Sequence, residues 1–117
     1  MEDDTALLEA LVEKFESENF DVLQAINGVE GLESALKNHP DLILLDIIMP
    51  KMDGTAMLHE LKRDHWGQHV PVVMLTNISD AGRLAEALEI GIDEYLVKAE
   101  WKLKDIVERV KKILGIL

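Results

Sequence analysis

Cysteine is absent from the 117-residue chain, which excludes a disulfide framework and a thiolate metal site and is compatible with a reducing compartment. Basic charge is scarce: 12 Lys and Arg stand against 23 Asp and Glu, for a net charge of −11. The average surface field therefore repels phosphodiester backbones, and direct nucleic-acid binding is not expected. Long apolar runs are missing as well. The longest extend over a few residues only, and the opening Met-Glu-Asp-Asp is acidic. Neither a signal peptide nor a membrane span is read, and the expected location is the cytoplasm. No repeat, linker or low-complexity stretch divides the sequence, and its length suits one domain, 1–117, without a second output module.

What is present alternates. Leu7, Leu8, Leu11, Val12 and Phe15 recur at helical spacing and predict a helix over about 5–18, with Asp4 or Thr5 as N-cap. A strand is predicted at 20–25 and a helix at 29–37, stopped by His39-Pro40. Leu42-Ile43-Leu44-Leu45 is apolar at every position, as a parallel strand covered on both faces requires. Further strands are predicted at 70–75 and 94–97, and helices at 55–63, 80–89 and 103–114. Such alternation predicts a parallel sheet with helices on both faces. Ligands of these sheets collect beyond the carboxyl ends of the strands, where strand order reverses.

The residues that end the strands carry chemistry. Asp46 follows Leu45, Thr76 follows Leu75, Lys98 follows Val97, and Glu2-Asp3-Asp4 precedes the first helix. Gathered at one edge, these carboxylates would raise one another's pKa unless a cation lay between them. Oxygen donors with room for water suit Mg²⁺. The ammonium and hydroxyl would then be donors to a phosphoryl group carried on one carboxylate.

The run from Asp46 through Ile47-Ile48-Met49-Pro50-Lys51-Met52-Asp53 to Gly54 resembles the phosphoacceptor loop of response regulator receiver domains, and the intervals from Asp46 to Thr76 and on to Lys98, 30 and 22 residues, match that family's spacing. The resemblance covers nearly the whole chain and implies a flavodoxin-like sheet of order 2-1-3-4-5. It implies that Asp46 takes a phosphoryl group from a histidine kinase or phosphotransfer protein. Asp3 and Asp46 would ligate Mg²⁺ directly, Glu2 through water, and Ile48 through its backbone carbonyl. Thr76 would contact the phosphoryl group, Lys98 would pair with it, and Tyr95 stands at the family's aromatic switch position. A downstream protein would dock on the surface running roughly from Asp80 to Leu114. The module itself would be no enzyme beyond promoting its own phosphorylation and dephosphorylation. Two departures from the family pattern stand out. Ile48 and Ile78, two residues beyond Asp46 and Thr76, cannot hydrogen-bond an attacking water, which implies a long-lived phosphoryl group. Lys98 is followed by Ala99 where relatives carry proline, so a trans bond is expected there.

Plainer readings exist for each residue. Asp46 could open the turn that ends in Asp53-Gly54, Thr76 could satisfy the backbone at a strand end, Lys98 could be a solvated lysine, and Tyr95 a packed strand aromatic. Glu2-Asp3-Asp4 could be an acidic helix start. His65 and His69 stand four apart, but Gly67 and Pro71 argue against a continuous helix and hence a zinc site. Trp66 and Trp101 read as half-buried anchors. Two rival functions remain open. A haloacid-dehalogenase-like phosphatase would need a second Asp at the place of Ile48, and a pseudo-receiver would keep the fold without accepting phosphate.

The start is short for the resembling fold, whose first strand runs into the acidic pair, so strand 1 is expected to be largely absent. The strands at 20–25 and 42–45 would then present edges to be closed by direct pairing, by a second chain, or by the strand-like tail Ile113-Leu114-Gly115-Ile116-Leu117. A homo-oligomer, or a chain less stable than one carrying an added upstream strand, is the expectation.

Overall fold

A computed structural model of the chain describes residues 5–46, 54–76, 81–98 and 101–116. In chain order they form α1 (Thr5–Ser17), α2 (Gly28–Asn38), β1 (Ile43–Asp46), α3 (Gly54–Arg63), β2 (Val72–Thr76), α4 (Ala81–Ile90), β3 (Glu94–Val97) and α5 (Leu103–Leu114). The three strands are parallel and ordered β1-β2-β3. That is the order of the last three strands of the expected 2-1-3-4-5 sheet.

The central strand shows why its sequence is apolar throughout. Successive side chains of a strand point to opposite faces. Val72 and Met74 join Ile43, Leu45, Met57, Leu58 and Leu61 in one core. Val73 and Leu75 join Phe15, Leu96, Ile106 and Val110 in the other. Both crossovers, through α3 and through α4, lie on the first face, as the uniform hand of such connections requires. α1 and α5 cover the second. α5 is strongly amphipathic, burying Ile106, Val107 and Val110, and closes on Gly115 in the left-handed conformation at φ 74°, a position that favours glycine. α2 begins at Asn27, whose side chain accepts from the Glu30 N–H at 2.9 Å.

The strand expected at 20–25 is not formed. A strand needs a neighbour to complete its ladder, and among the described residues β1 pairs with β2 alone. The segment is held by other means. Asn19 turns the chain at φ 68°, the Phe20 N–H donates to the Phe15 carbonyl at 3.1 Å, and the two rings meet edge to face at 5.1 Å. Phe20 and Val22 pack on the core beneath α1 and α5, while Leu23 is 52% exposed. Direct pairing of this segment with β1, one of the closures expected, is therefore not found. The tail is also corrected: Ile113 and Leu114 belong to α5 and pack on the same core, because the helical period continues through them, and Ile116 lies in solvent.

At the amino end of β2, Pro71 has no N–H to give, and its surroundings are fully engaged. Lys62 Nζ donates to the Val70 carbonyl at 3.1 Å, the Ile43 N–H donates to the Pro71 carbonyl at 2.9 Å, and the Val72 N–H donates to Asp93 Oδ2 at 2.8 Å. The Asp93 N–H returns a bond to the Val72 carbonyl at 3.0 Å. In the preceding turn the Gly67 N–H donates to Asp64 Oδ2 at 3.0 Å, and a Cβ on Gly67 would overlap the Leu61 carbonyl.

Candidate functional site

The ladder registers explain how three distant residues come together. Asp46 is the last residue of β1 and sits opposite Leu75, while Thr76 ends β2 opposite Val97. Lys98 follows β3 directly. All three therefore lie at the carboxyl edge of the sheet. Asp46 is 3% exposed and Thr76 is buried. The Lys98 ammonium reaches across to Asp46 Oδ2 at 3.0 Å. A carboxylate so far from water is tolerated only with a close countercharge, which Lys98 supplies.

Of the remaining expected site residues, Glu2, Asp3 and Ile48 lie outside the described residues, as do Ile78 and the Lys98-Ala99 bond. Among the described residues no group of three or more histidines and carboxylates gathers to hold a metal. Asp46 supplies one hard oxygen donor of the kind Mg²⁺ takes, and the rest of the expected ligand set falls on the undescribed residues. His65 and His69 lie on a turn rather than in a helix, with ring centres 6.1 Å apart. Trp66 and Trp101 are half-buried anchors, one packed against each core, and Trp66 stacks on His39 at 4.2 Å.

Tyr95 is 45% exposed. It lies three residues before Lys98, on the wall of an open groove of about 530 Å³ shared with Leu88, Ile92, Val97 and Arg109. The Arg109 Nε donates to both Glu94 carboxylate oxygens at 2.6 Å, so α5 is bolted to β3 beside Tyr95. The hydrogen bond and charge of Glu94 raise the Arg109 pKa further above its ordinary value. Nothing in the sequence marks this pair. Partners 15 residues apart on a strand and a helix leave no spacing signal.

A parallel sheet with helices on both faces and an acidic side chain, a hydroxyl and a lysine at its carboxyl edge defines a flavodoxin-like α/β domain, and that edge is where such folds collect ligands. The chain belongs to the response regulator receiver domain family, whose sequence profile matches residues 1–111. Receiver domains are signalling modules of two-component systems. The chain is 38% identical over 114 residues to the transcriptional regulatory protein PrrA of Mycobacterium tuberculosis, covering 97% of this chain and 48% of PrrA. The receiver domain of a signal transduction histidine kinase from Syntrophus aciditrophicus matches with a TM-score of 0.88 at 31% identity, over 98% of this chain and 86% of that one. The receiver domain of sensor histidine kinase PA1611 from Pseudomonas aeruginosa, which has a magnesium ion coordinated in its active-site cleft, matches with a TM-score of 0.88 at 24% identity, over 98% of this chain and 93% of that one. That last likeness is one of fold alone. The chain spans under half the length of the curated relatives it matches, 46% and 47% for two of them. Among the described residues no helix is long and apolar enough to cross a membrane.

Proposed function

We propose that this receiver domain is a phosphorylation switch whose acceptor is Asp46. The observation that carries the reading is the 3.0 Å pair of Lys98 with a 3%-exposed Asp46 at the carboxyl edge of the sheet. A carboxylate oxygen of Asp46 attacks the phosphorus of a phosphohistidine on a kinase or phosphotransfer protein. The phosphorus–nitrogen bond breaks, and the imidazole leaves with the bond's electrons and takes up a proton. Lys98 then neutralises charge on the transferred group, and the Thr76 hydroxyl, one strand over, donates to one of its oxygens. Asp3, Asp46, the Ile48 carbonyl and, through water, Glu2 would hold Mg²⁺, which when bound draws charge from the phosphoryl oxygens. Tyr95 and the groove between α4 and α5 form the face on which a downstream protein docks.

Incubation with acetyl phosphate and Mg²⁺ should add the mass of one phosphate to the chain, and Asp46→Asn should abolish the addition. An unchanged mass in the parent would instead mark a pseudo-receiver that uses the same fold only to bind.

A further inference from the structure

The turn between α3 and β2 carries two histidines that the fold does not employ. His65 and His69 are both exposed, their rings meet edge to face with centres 6.1 Å apart, and among the described residues neither imidazole takes part in a hydrogen bond or an ion pair. The backbone that holds them is, by contrast, fully engaged. The Gln68 N–H donates to the Asp64 carbonyl at 3.1 Å and the His69 N–H to the Trp66 carbonyl at 3.0 Å. The Gly67 N–H donates to Asp64 Oδ2, Gly67 lies against the Leu61 carbonyl, and Trp66 packs on the core beneath α3 while stacking on His39. The continuous helix that ordinarily seats histidines four apart is absent, as the sequence predicts. The bond from Gln68 to Asp64 nevertheless spans four residues as in a helical turn, and residues four apart on such a turn project to one side.

Imidazole nitrogens are ligands for zinc and for its neighbours among the transition metals. Two imidazoles sharing one zinc, at about 2.0–2.1 Å from each nitrogen, have ring centres about 5–6 Å apart. Rotation of two exposed side chains on a pinned backbone is therefore enough to close this pair on an ion. The surrounding charge favours a cation over an anion. The chain as a whole carries −11, and the two basic residues just before the turn are committed, Lys62 to the Val70 carbonyl and Arg63 to Glu60. We propose that His65 and His69 form a two-nitrogen site for Zn²⁺. No third histidine or carboxylate joins them among the described residues, so two of the four positions of tetrahedral zinc stay open to water or to a side chain of another molecule. The site lies at the amino end of β2, at the opposite end of the sheet from Asp46, and does not depend on the phosphoacceptor reading.

The test titrates Zn²⁺ into the chain in competition with a fluorescent zinc indicator, and saturable binding is expected. His65→Gln and His69→Gln should each weaken it about tenfold or more, since one imidazole no longer brings the other to the same ion. Both side chains are exposed, so with metal chelated the variants should melt with the parent. His59→Gln, on α3, and Asp46→Asn should leave the affinity unchanged. Carboxylates also ligate zinc, so the Asp46→Asn arm separates this site from the carboxyl edge of the sheet. In parallel, Zn²⁺ should shift the imidazole NMR resonances of His65 and His69 and leave those of His59 in place. No saturable binding, an unchanged affinity in both His65→Gln and His69→Gln, or a loss in Asp46→Asn as large as in His65→Gln would each overturn the proposal. A chain that binds zinc through this pair and takes no phosphate from acetyl phosphate would uphold the zinc site and end the phosphoacceptor reading.

Discussion

Replacing Lys98 by Met removes the countercharge of Asp46 and leaves a carboxylate that is 3% exposed without its cation. Breaking one partner of a buried pair costs about 3–5 kcal/mol. The lower end applies, because the Lys98 side chain is itself 21% exposed and water can follow the vacated path. The expected loss is therefore about 3 kcal/mol, or about 12 °C in melting temperature at the entropy typical of a chain this long. Asp46→Asn should cost less, since Lys98 can turn its ammonium to solvent. The double variant D46N/K98M should regain most of the stability lost in K98M, with a coupling of about 2 kcal/mol. Urea unfolding followed by circular dichroism, with divalent ions chelated, completes the cycle. The reasoning fails if K98M loses under about 1 kcal/mol or if the double variant is no more stable than K98M.

Two further expectations follow from contacts away from the site. The Glu18 carboxyl is held below its ordinary value of 4.5 by its hydrogen bond and charge interaction with Lys111, with Lys14 adding to the effect. A lowered folded pKa contributes stability that is full above the unfolded value and lost as pH falls through the folded one, so Glu18→Gln should be destabilising at neutral pH and the difference should close on acidification below 4.5 in melts across pH. Gly67→Ala would drive a methyl into the Leu61 carbonyl, with the fully buried Leu61 side chain close behind it; about 2–3 kcal/mol of destabilisation is expected in urea unfolding, and a neutral result would show that the turn relaxes freely.

The parts of the molecule visible in its sequence are those whose signal is local. The runs around Leu44 and Val73 are apolar because both faces of their strands are covered, and α5 announces itself through Ile106, Val107 and Val110. Asp46 and Lys98 stand out in the sequence by their interval, and the sheet brings the two side chains within 3.0 Å of each other. Residues 20–25 have strand composition, but composition does not supply a partner, and the segment packs as coil. Contacts that depend on two remote elements meeting were not legible. Glu18, just past the end of α1, meets Lys111 of α5 across 93 residues, and Asp93 serves the backbone of Val72 from a strand away. No periodicity encodes either.

The bonds gathered around Pro71 have a consequence for fidelity of folding. A strand that is apolar on both faces carries little information about its own alignment, since shifting it by two residues exchanges one apolar side chain for another. Val72-Val73-Met74-Leu75 is such a strand, and it is also the kind of segment that stacks with copies of itself when exposed. Lys62 and Asp93 take hold of one carbonyl and one N–H on either side of a residue that cannot donate. Only one alignment places Pro71 between those two grips. A β2 slipped by one residue would bring to the Asp93 carboxylate Pro71, which has no N–H to give. Two charged side chains on neighbouring elements thereby act as an index mark for a segment that has none of its own, and that mark keeps the carboxyl ends of all three strands level where Asp46, Thr76 and Lys98 must meet.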